Sequence, residues 1–225
     1  MEVDSKNEKN ILPIRKKSKI DVFFNKLSTR YAGGGSSKVL ANENVKSLSE
    51  ALNCENFDAT VYTPILYTDD VYGDYQIICA GAEYESESHD RQNINLQTVH
   101  ENLFYDSDKM ILDCAARNEN TIVILYVGSV VDCSKWIDKV KAVLYVGFGG
   151  QRVNEAVVKV LSGEKSPSGK LTETFAVTLN DYGQDFSSER DKALIYKERF
   201  DVGYKYFDKY DVKPQFAFGY GLSYA

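Results

Sequence analysis

One short segment, residues 84–91, holds the side chains of this sequence that are best suited to chemistry; it reads Tyr-Glu-Ser-Glu-Ser-His-Asp-Arg. It follows an apolar, β-prone run, Tyr75–Ala80. Residues just past the carboxyl end of a buried strand lie where open α/β sheets place their reactive groups. Glu85 or Glu87 can supply a proton donor, and the neighbouring His, Asp and Arg charges can tune its pKa. On these residues alone a solvated acidic loop is the commoner interpretation, and acid–base chemistry is the function that the residue types allow.

Size and composition narrow the classes of function. The chain has 225 residues, 43% of them hydrophobic, which is enough for one large core or two small ones. A net charge of -6 argues against a nucleic-acid binder, which normally carries a basic face. No run approaches the ~18 apolar residues of a membrane span, and residues 1–20 lack the apolar core of a signal peptide. We therefore expect a soluble chain with no nucleic-acid and no membrane partner.

The cysteines and histidines do not form a metal motif. The four cysteines are widely separated without a Cys-x-x-Cys pair, and the only histidines are His89 and His100. Zinc sites in proteins are built from closely spaced Cys and His ligands. The sequence therefore implies no metal and no cofactor. Cys79, in a predicted strand, and Cys114, in a helical pattern, are expected to be buried, reduced thiols.

Apolar strands alternate with helical patterns along most of the chain. This alternation predicts an α/β fold: a single domain over residues 1–225, a three-layer sandwich with a mostly parallel sheet of about six strands and helices on both faces. Residues 1–10 are expected to be loose, and Asn42 is a candidate helix cap. Strands are predicted at 19–24, 60–62, 76–80, 121–127 and 140–146, and helices at 42–53, 96–117 and 151–161.

A glycine-rich loop follows the first predicted strand at Gly33-Gly34-Gly35-Ser36-Ser37. Such loops can present backbone N–H groups to a phosphate, but the Walker lysine and the Gly-x-Gly-x-x-Gly spacing are both missing. We expect a backbone turn that allows close approach to a partner or a sugar.

The motifs, taken in order, resemble the C-terminal α/β-sandwich domain of family 3 glycoside hydrolases, a group that includes many β-glucosidases. Each match is modest, but their order along most of the chain is specific. The main matching segments are residues 6–8, 33–37, 85–91, 118–123, 128–129, 140–144, 166–171, 196–198, 202–208 and 218–224.

The resemblance implies a retaining glycosidase mechanism, in which one carboxylate attacks the anomeric carbon and a second acts as acid and then base. In such enzymes the nucleophile is an aspartate on a (β/α)8 barrel, and the acid/base glutamate precedes an Asp-Arg pair by three residues. Here that position is Glu87, with Glu85 as the runner-up. The resemblance further implies substrate-binding roles for Gly34, Gly35, Ser36 and His89, and a loop-structuring role for Asp90 and Arg91.

The implied partners are a β-glucoside or oligosaccharide substrate and the barrel that carries the nucleophile. A (β/α)8 barrel needs about 250 residues, more than this chain can supply beside the sandwich. We therefore expect the isolated chain to be inactive, as one part of a larger β-glucosidase-like enzyme.

The sequence departs from the family pattern close to the acid/base position. The usual glycine after the glutamate is Ser88, the usual aromatic before Asp-Arg is His89, and the usual Pro-Gly-Gln turn reads Gly149-Gly150-Gln151. The alternative is therefore a non-catalytic carbohydrate-binding or structural domain that packs on a barrel. The retained Glu87, followed by Asp-Arg, favours the catalytic reading. Core packing is the expected role for most of the aromatic residues Trp136, Tyr204, Tyr206 and Phe207.

Overall fold

The computed structural model describes most of the chain, and the statements below concern that part of it. The described residues are 3–24, 32, 34–40, 42, 44–62, 73–82, 87, 91, 93–100, 103–183 and 197–224. They contain eight strands and four α-helices. The strands are β1 (Val3–Asn7), β2 (Lys19–Phe24), β3 (Asp58–Tyr62), β4 (Tyr75–Ala80), β5 (Gln97–His100), β6 (Leu103–Asp106), β7 (Thr121–Leu125) and β8 (Ala142–Tyr145). The helices are α1 (Leu48–Cys54), α2 (Ser107–Arg117), α3 (Val153–Leu161) and α4 (Tyr204–Tyr210).

Six strands form one sheet in the order β1-β8-β7-β4-β2-β3, and β5 pairs with β6 in a separate antiparallel hairpin. Strands β2, β3, β4, β7 and β8 run parallel, and only β1 at one edge is antiparallel to its neighbour. Every residue of β7 is buried, because both faces of a parallel sheet are covered by other layers.

Helices cover both faces of the sheet, as predicted. On one face α1 and α3 place Leu52, Val157 and Leu161 against strand residues such as Ile122. On the other face α2 packs with the fully buried Trp136 in a second core. The predicted α/β class with a mostly parallel sheet and helices on both faces is confirmed.

Three local predictions differ from the structure. Residues 3–7 are not loose, because they form β1 and pair with β8. Helix α1 begins after Ser47 rather than near Asn42, since Ser47 and Glu50 form a reciprocal capping box. The single helix predicted over 96–117 is instead the β5–β6 hairpin followed by α2, whose N-cap is Asp106.

None of the helices in the described part of the chain has the length and apolar content needed to cross a bilayer.

Candidate active site

The candidate site lies where the loops after β2 and β4 meet. These two parallel strands are neighbours in the sheet, so their carboxyl ends lie side by side. From β2 the chain continues in order to β3 on one side of it and to β4, β7 and β8 on the other. The strand order therefore reverses between β2 and β4. Open α/β sheets bind ligands in the crevice at such a switch point, outside the carboxyl ends of the strands.

Glu87 and the glycine-rich loop are in direct contact at this place. The backbone N–H of Ser36 donates a hydrogen bond of 2.9 Å to Oε2 of Glu87, although the two residues are 51 positions apart in the sequence. Ser36 belongs to a 3-10 turn, Gly35–Ser37, that the Ser37 hydroxyl closes by bonding the carbonyl of Gly34 at 2.8 Å. The glycine-rich loop thus presents a donor to the candidate acid/base.

Gly35 lies closer to Glu87 than any side chain would allow. A Cβ built on Gly35 would lie 2.6 Å from Cβ of Glu87 and 2.8 Å from its Oε2, and both distances are shorter than van der Waals contact. Gly35 also has a φ of 64°, in the left-handed region that favours glycine. Glycine is therefore required here for contact with Glu87 and for the turn itself.

The contact changes the acid–base behaviour of Glu87. The Ser36 N–H, and then the Ser36 side chain, lower the pKa of the Glu87 carboxyl below its ordinary value by hydrogen-bonding to the charged form. Glu87 is exposed, so desolvation offsets little of this effect. The loop after β2 therefore holds the Glu87 carboxyl and favours its ionised form, so Glu87 is not a freely rotating surface side chain.

Arg91 joins the segment carrying Glu87 to the next loop along the sheet. Its Nη1 donates to the carbonyl of Val130 at 3.0 Å and to the hydroxyl of Ser129 at 3.3 Å. Both acceptors follow β7, the neighbour of β4. Arg91 therefore connects the backbone after β4 to the loop after β7, and the loop-structuring role that the resemblance implies for it stays a prediction.

The described residues include only part of the predicted site. Gly34, Gly35, Ser36, Glu87 and Arg91 are described, and the structure brings Gly35 and Ser36 to Glu87. Glu85, His89 and Asp90 lie outside the described residues. Within the described ranges, no three His, Cys, Asp or Glu side chains are grouped so that they could hold a metal ion.

A hydrogen-bond network between α3 and the segment after the glycine-rich loop was not predicted from the sequence. The buried Tyr126 hydroxyl donates to Oδ1 of Asn154 at 3.0 Å, and Nδ2 of Asn154 donates to the carbonyl of Lys46 at 2.9 Å. Gln151 adds a bond from Nε2 to the carbonyl of Leu40 at 3.0 Å. These bonds fasten the segment that follows the glycine-rich loop to α3. Neither Asn154 nor Tyr126 belongs to a recognisable motif, so no local signal could have found them.

Comparison with known proteins places this arrangement in a family. The family model described as the glycosyl hydrolase family 3 C-terminal domain matches residues 6–224. The chain belongs to this family. Thermostable beta-glucosidase B from Acetivibrio thermocellus is 36% identical over an alignment of 243 positions, which covers 97% of this chain and 31% of that protein. A probable beta-glucosidase I from Aspergillus flavus is 39% identical over 152 aligned residues, covering 66% of this chain and 17% of the relative.

Solved structures of the family share the fold. The crystal structure of a family 3 beta-glucosidase from Bifidobacterium adolescentis superposes with a TM-score of 0.82 at 27% identity, and the match covers all of this chain and 34% of that one. The chain therefore spans about a third of the length of the family 3 relatives that it matches along its whole length.

Proposed function

We propose that this chain is the acid/base-bearing domain of a retaining β-glycosidase, and specifically of a β-glucosidase, and that Glu87 is its acid/base. The observation that carries the proposal is the place of Glu87. It is exposed at the switch point of the sheet, accepts a hydrogen bond from the Ser36 N–H and lies directly against Gly35. Membership in the family and similarity to beta-glucosidases support the choice of reaction.

In this mechanism the nucleophile is an aspartate on a barrel domain that docks against the carboxyl edge of the sheet. The nucleophile attacks the anomeric carbon as the glycosidic bond breaks, and the Glu87 carboxyl gives its proton to the departing oxygen. Glu87, now a carboxylate, takes a proton from water as the water oxygen bonds to the anomeric carbon and the aspartate leaves. Glu87 ends the cycle protonated, ready for the next substrate.

Glu87 must hold a proton at the start of this cycle, whereas the contact with Ser36 favours the carboxylate. Docking of a barrel opposes the effect of Ser36 in two ways, because it removes water from Glu87 and places a second carboxylate near it. Both changes raise the pKa of Glu87. We infer that the domain interface makes Glu87 a proton donor, and that the isolated domain leaves it ionised.

The test compares the chain alone with the chain joined to a barrel. The joined form is a chimera in which this chain replaces the matching segment of thermostable beta-glucosidase B from Acetivibrio thermocellus. We expect the purified chain alone to release no nitrophenol from a nitrophenyl β-glucoside above the buffer rate, because no glycosyl-enzyme intermediate can form. We expect the folded chimera to turn the substrate over.

Circular dichroism and a cooperative thermal transition establish that each protein is folded. Turnover by the chain alone that survives further purification would place the whole active site within this domain and contradict the proposal. A folded chimera that binds oligosaccharide without hydrolysing it would instead support a non-catalytic binding domain.

A further inference from the structure

The resemblance assigned Gly35 and Ser36 to substrate binding, but in the structure both face Glu87. We propose that Gly35 and Ser36 are positioning residues that hold the Glu87 carboxylate at the switch point, with Ser36 as the donor and Gly35 as the residue that permits the approach. The consequence of this contact for catalysis rests on the proposed function of Glu87. The contact itself does not rest on that function, and it can be measured without an activity assay.

The geometry carries this proposal in two independent ways. The Ser36 N–H reaches Oε2 at 2.9 Å, which is an ordinary length for a hydrogen bond to a charged acceptor. Separately, Gly35 leaves no room for a methyl group, since its Cβ would lie 2.6 Å from Cβ of Glu87. The first observation shows that the turn binds the carboxylate, and the second shows that the stem of the Glu87 side chain packs directly against the same turn.

The turn that holds Glu87 is itself fixed. The Ser37 hydroxyl bonds the carbonyl of Gly34 at 2.8 Å, and the N–H of Lys38 bonds the carbonyl of Gly35 at 3.2 Å. A donor on a closed turn keeps its direction when the acceptor moves. The Ser36 N–H can therefore orient Glu87 without reorganising, which is the condition for an effective fixed donor.

The two half-reactions use this contact differently. In the second half-reaction Glu87 works as a carboxylate base, and the Ser36 N–H stabilises and orients that form. In the first half-reaction Glu87 must carry a proton, and the same contact opposes protonation. Gly35 and Ser36 therefore keep Glu87 ionised and oriented for the base step, and they limit the pH range of the acid step.

The first experiment measures the pKa of Glu87 in the 225-residue chain. The chain is labelled with carbon-13 at the glutamate side-chain carboxyl, and the Glu87 resonance is assigned by its absence in Glu87→Gln. We expect Glu87 in the parent chain to titrate below an ordinary glutamate. We expect the pKa to rise in Ser36→Ala, which loses the hydroxyl but keeps the N–H, and to rise further in Gly35→Ala, which separates the two groups.

Gly150→Ala is the matched control for backbone strain. Gly150 has a φ of 73°, close to that of Gly35, but a Cβ there meets nothing within 4 Å. In Gly150→Ala the Glu87 resonance should titrate as it does in the parent chain. If Gly35→Ala and Gly150→Ala both leave the pKa of Glu87 unchanged, or if parent Glu87 titrates as an ordinary glutamate, the positioning role is wrong.

The second experiment asks whether the contact matters in catalysis. In the chimera, Gly35→Ala should move the basic limb of the kcat/KM profile to higher pH, because the acid then keeps its proton longer, while Gly150→Ala should leave that limb in place. A merely destabilised protein would lose activity at all pH values without moving the limb. If Glu87→Ala keeps full activity, the proposed function fails while the titration result stands. The remaining outcome is that Gly35→Ala raises the pKa of Glu87 in the 225-residue chain but leaves the basic limb of an active chimera in place. The turn then holds Glu87, but Glu87 does not set the pH profile, and the catalytic consequence is refuted.

Discussion

Replacing Tyr126 by Phe tests the hydrogen-bond network that joins Tyr126 to Asn154 and Asn154 to Lys46. Tyr126 directly follows β7 and is 2% exposed, and its hydroxyl donates to Oδ1 of Asn154, which is 5% exposed. The change removes one oxygen atom and keeps the ring, so core packing is conserved. Its main consequence is that Oδ1 of Asn154 loses a donor in a place that bulk water does not reach, while Nδ2 keeps its bond to Lys46.

The expected cost follows from that burial. An intramolecular hydrogen bond contributes about 1 kcal/mol net, whereas leaving a buried acceptor without its donor costs about 1–3 kcal/mol. We expect Tyr126→Phe to lower the free energy of unfolding by about 2 kcal/mol. For a domain of this size each 1 kcal/mol lowers Tm by about 2–4 °C, so the expected fall in Tm is about 4–8 °C.

Urea denaturation followed by circular dichroism measures the cost, and a double-mutant cycle assigns it to the pair. Asn154→Ala should remove most of the effect of Tyr126→Phe, because the Asn154 acceptor is then absent, giving a coupling of at least about 0.5 kcal/mol. Tyr204→Phe is the matched control, since that tyrosine is 45% exposed and its loss of a hydroxyl should cost less than about 0.5 kcal/mol. A Tyr126→Phe protein as stable as the parent, or a cycle without coupling, would refute the reasoning.

Two further predictions concern buried titratable groups. Among the four free cysteines only Cys54 is exposed, and burial raises the pKa of Cys79 to about 12 and the pKa of Cys133 well above its ordinary value. A thiol reagent should therefore modify one cysteine in the native chain and four in denaturant. Rapid modification of more than one cysteine in the native chain would contradict the packing. Burial also raises the pKa of Asp21, against the opposing hydrogen bonds from Gly73 and Tyr62. Because the folded pKa exceeds the unfolded one, the stabilising contribution of Asp21 is full below the unfolded pKa and is lost as pH rises through the folded pKa. The free energy of unfolding of Asp21→Asn, relative to that of the parent, should therefore be higher at pH 7 than at pH 3. Urea denaturation at the two pH values measures this difference. An equal effect at both pH values would show that the Asp21 carboxyl is not desolvated.

The sheet was predictable where the sequence itself carries the signal of burial. Strand β7 has five consecutive apolar or β-branched residues, and such a run is typical of a strand covered on both faces. Strand β1 carries no such signal, because Val3–Asn7 is polar and becomes a strand only by pairing with β8, about 140 residues later. A local pattern cannot report a partner at that distance.

The predicted helix boundaries were wrong where two sequence signals competed. Asn42 is a good capping residue by type, but Ser47 with Glu50 three residues later is the stronger pattern, because each caps the other. Between residues 97 and 106 the apolar spacing also fits a helix. The structure instead pairs Val99 with Phe104 across a hairpin, since β-branched and aromatic residues fit a paired strand.

The contact between Glu87 and the glycine-rich loop could not be predicted from the sequence. The sequence places Glu87 just past the carboxyl end of a strand, and it separately predicts a close backbone approach at the glycine-rich loop. That these are one feature depends on β4 lying beside β2 in the sheet, and strand order is a global property. The lowered pKa of Glu87 follows from that same neighbourhood.

The identity of the proton donor is tested most directly by the leaving-group dependence of the Glu87→Ala chimera, with azide added. We expect this variant to lose far more activity on alkyl glucosides, which need protonation of the departing oxygen, than on dinitrophenyl glucoside, which does not, and azide should restore part of the dinitrophenyl rate by replacing the deprotonated water. Glu85→Ala should show neither property. If Glu85→Ala shows both and Glu87→Ala neither, the acid/base is Glu85 and not Glu87.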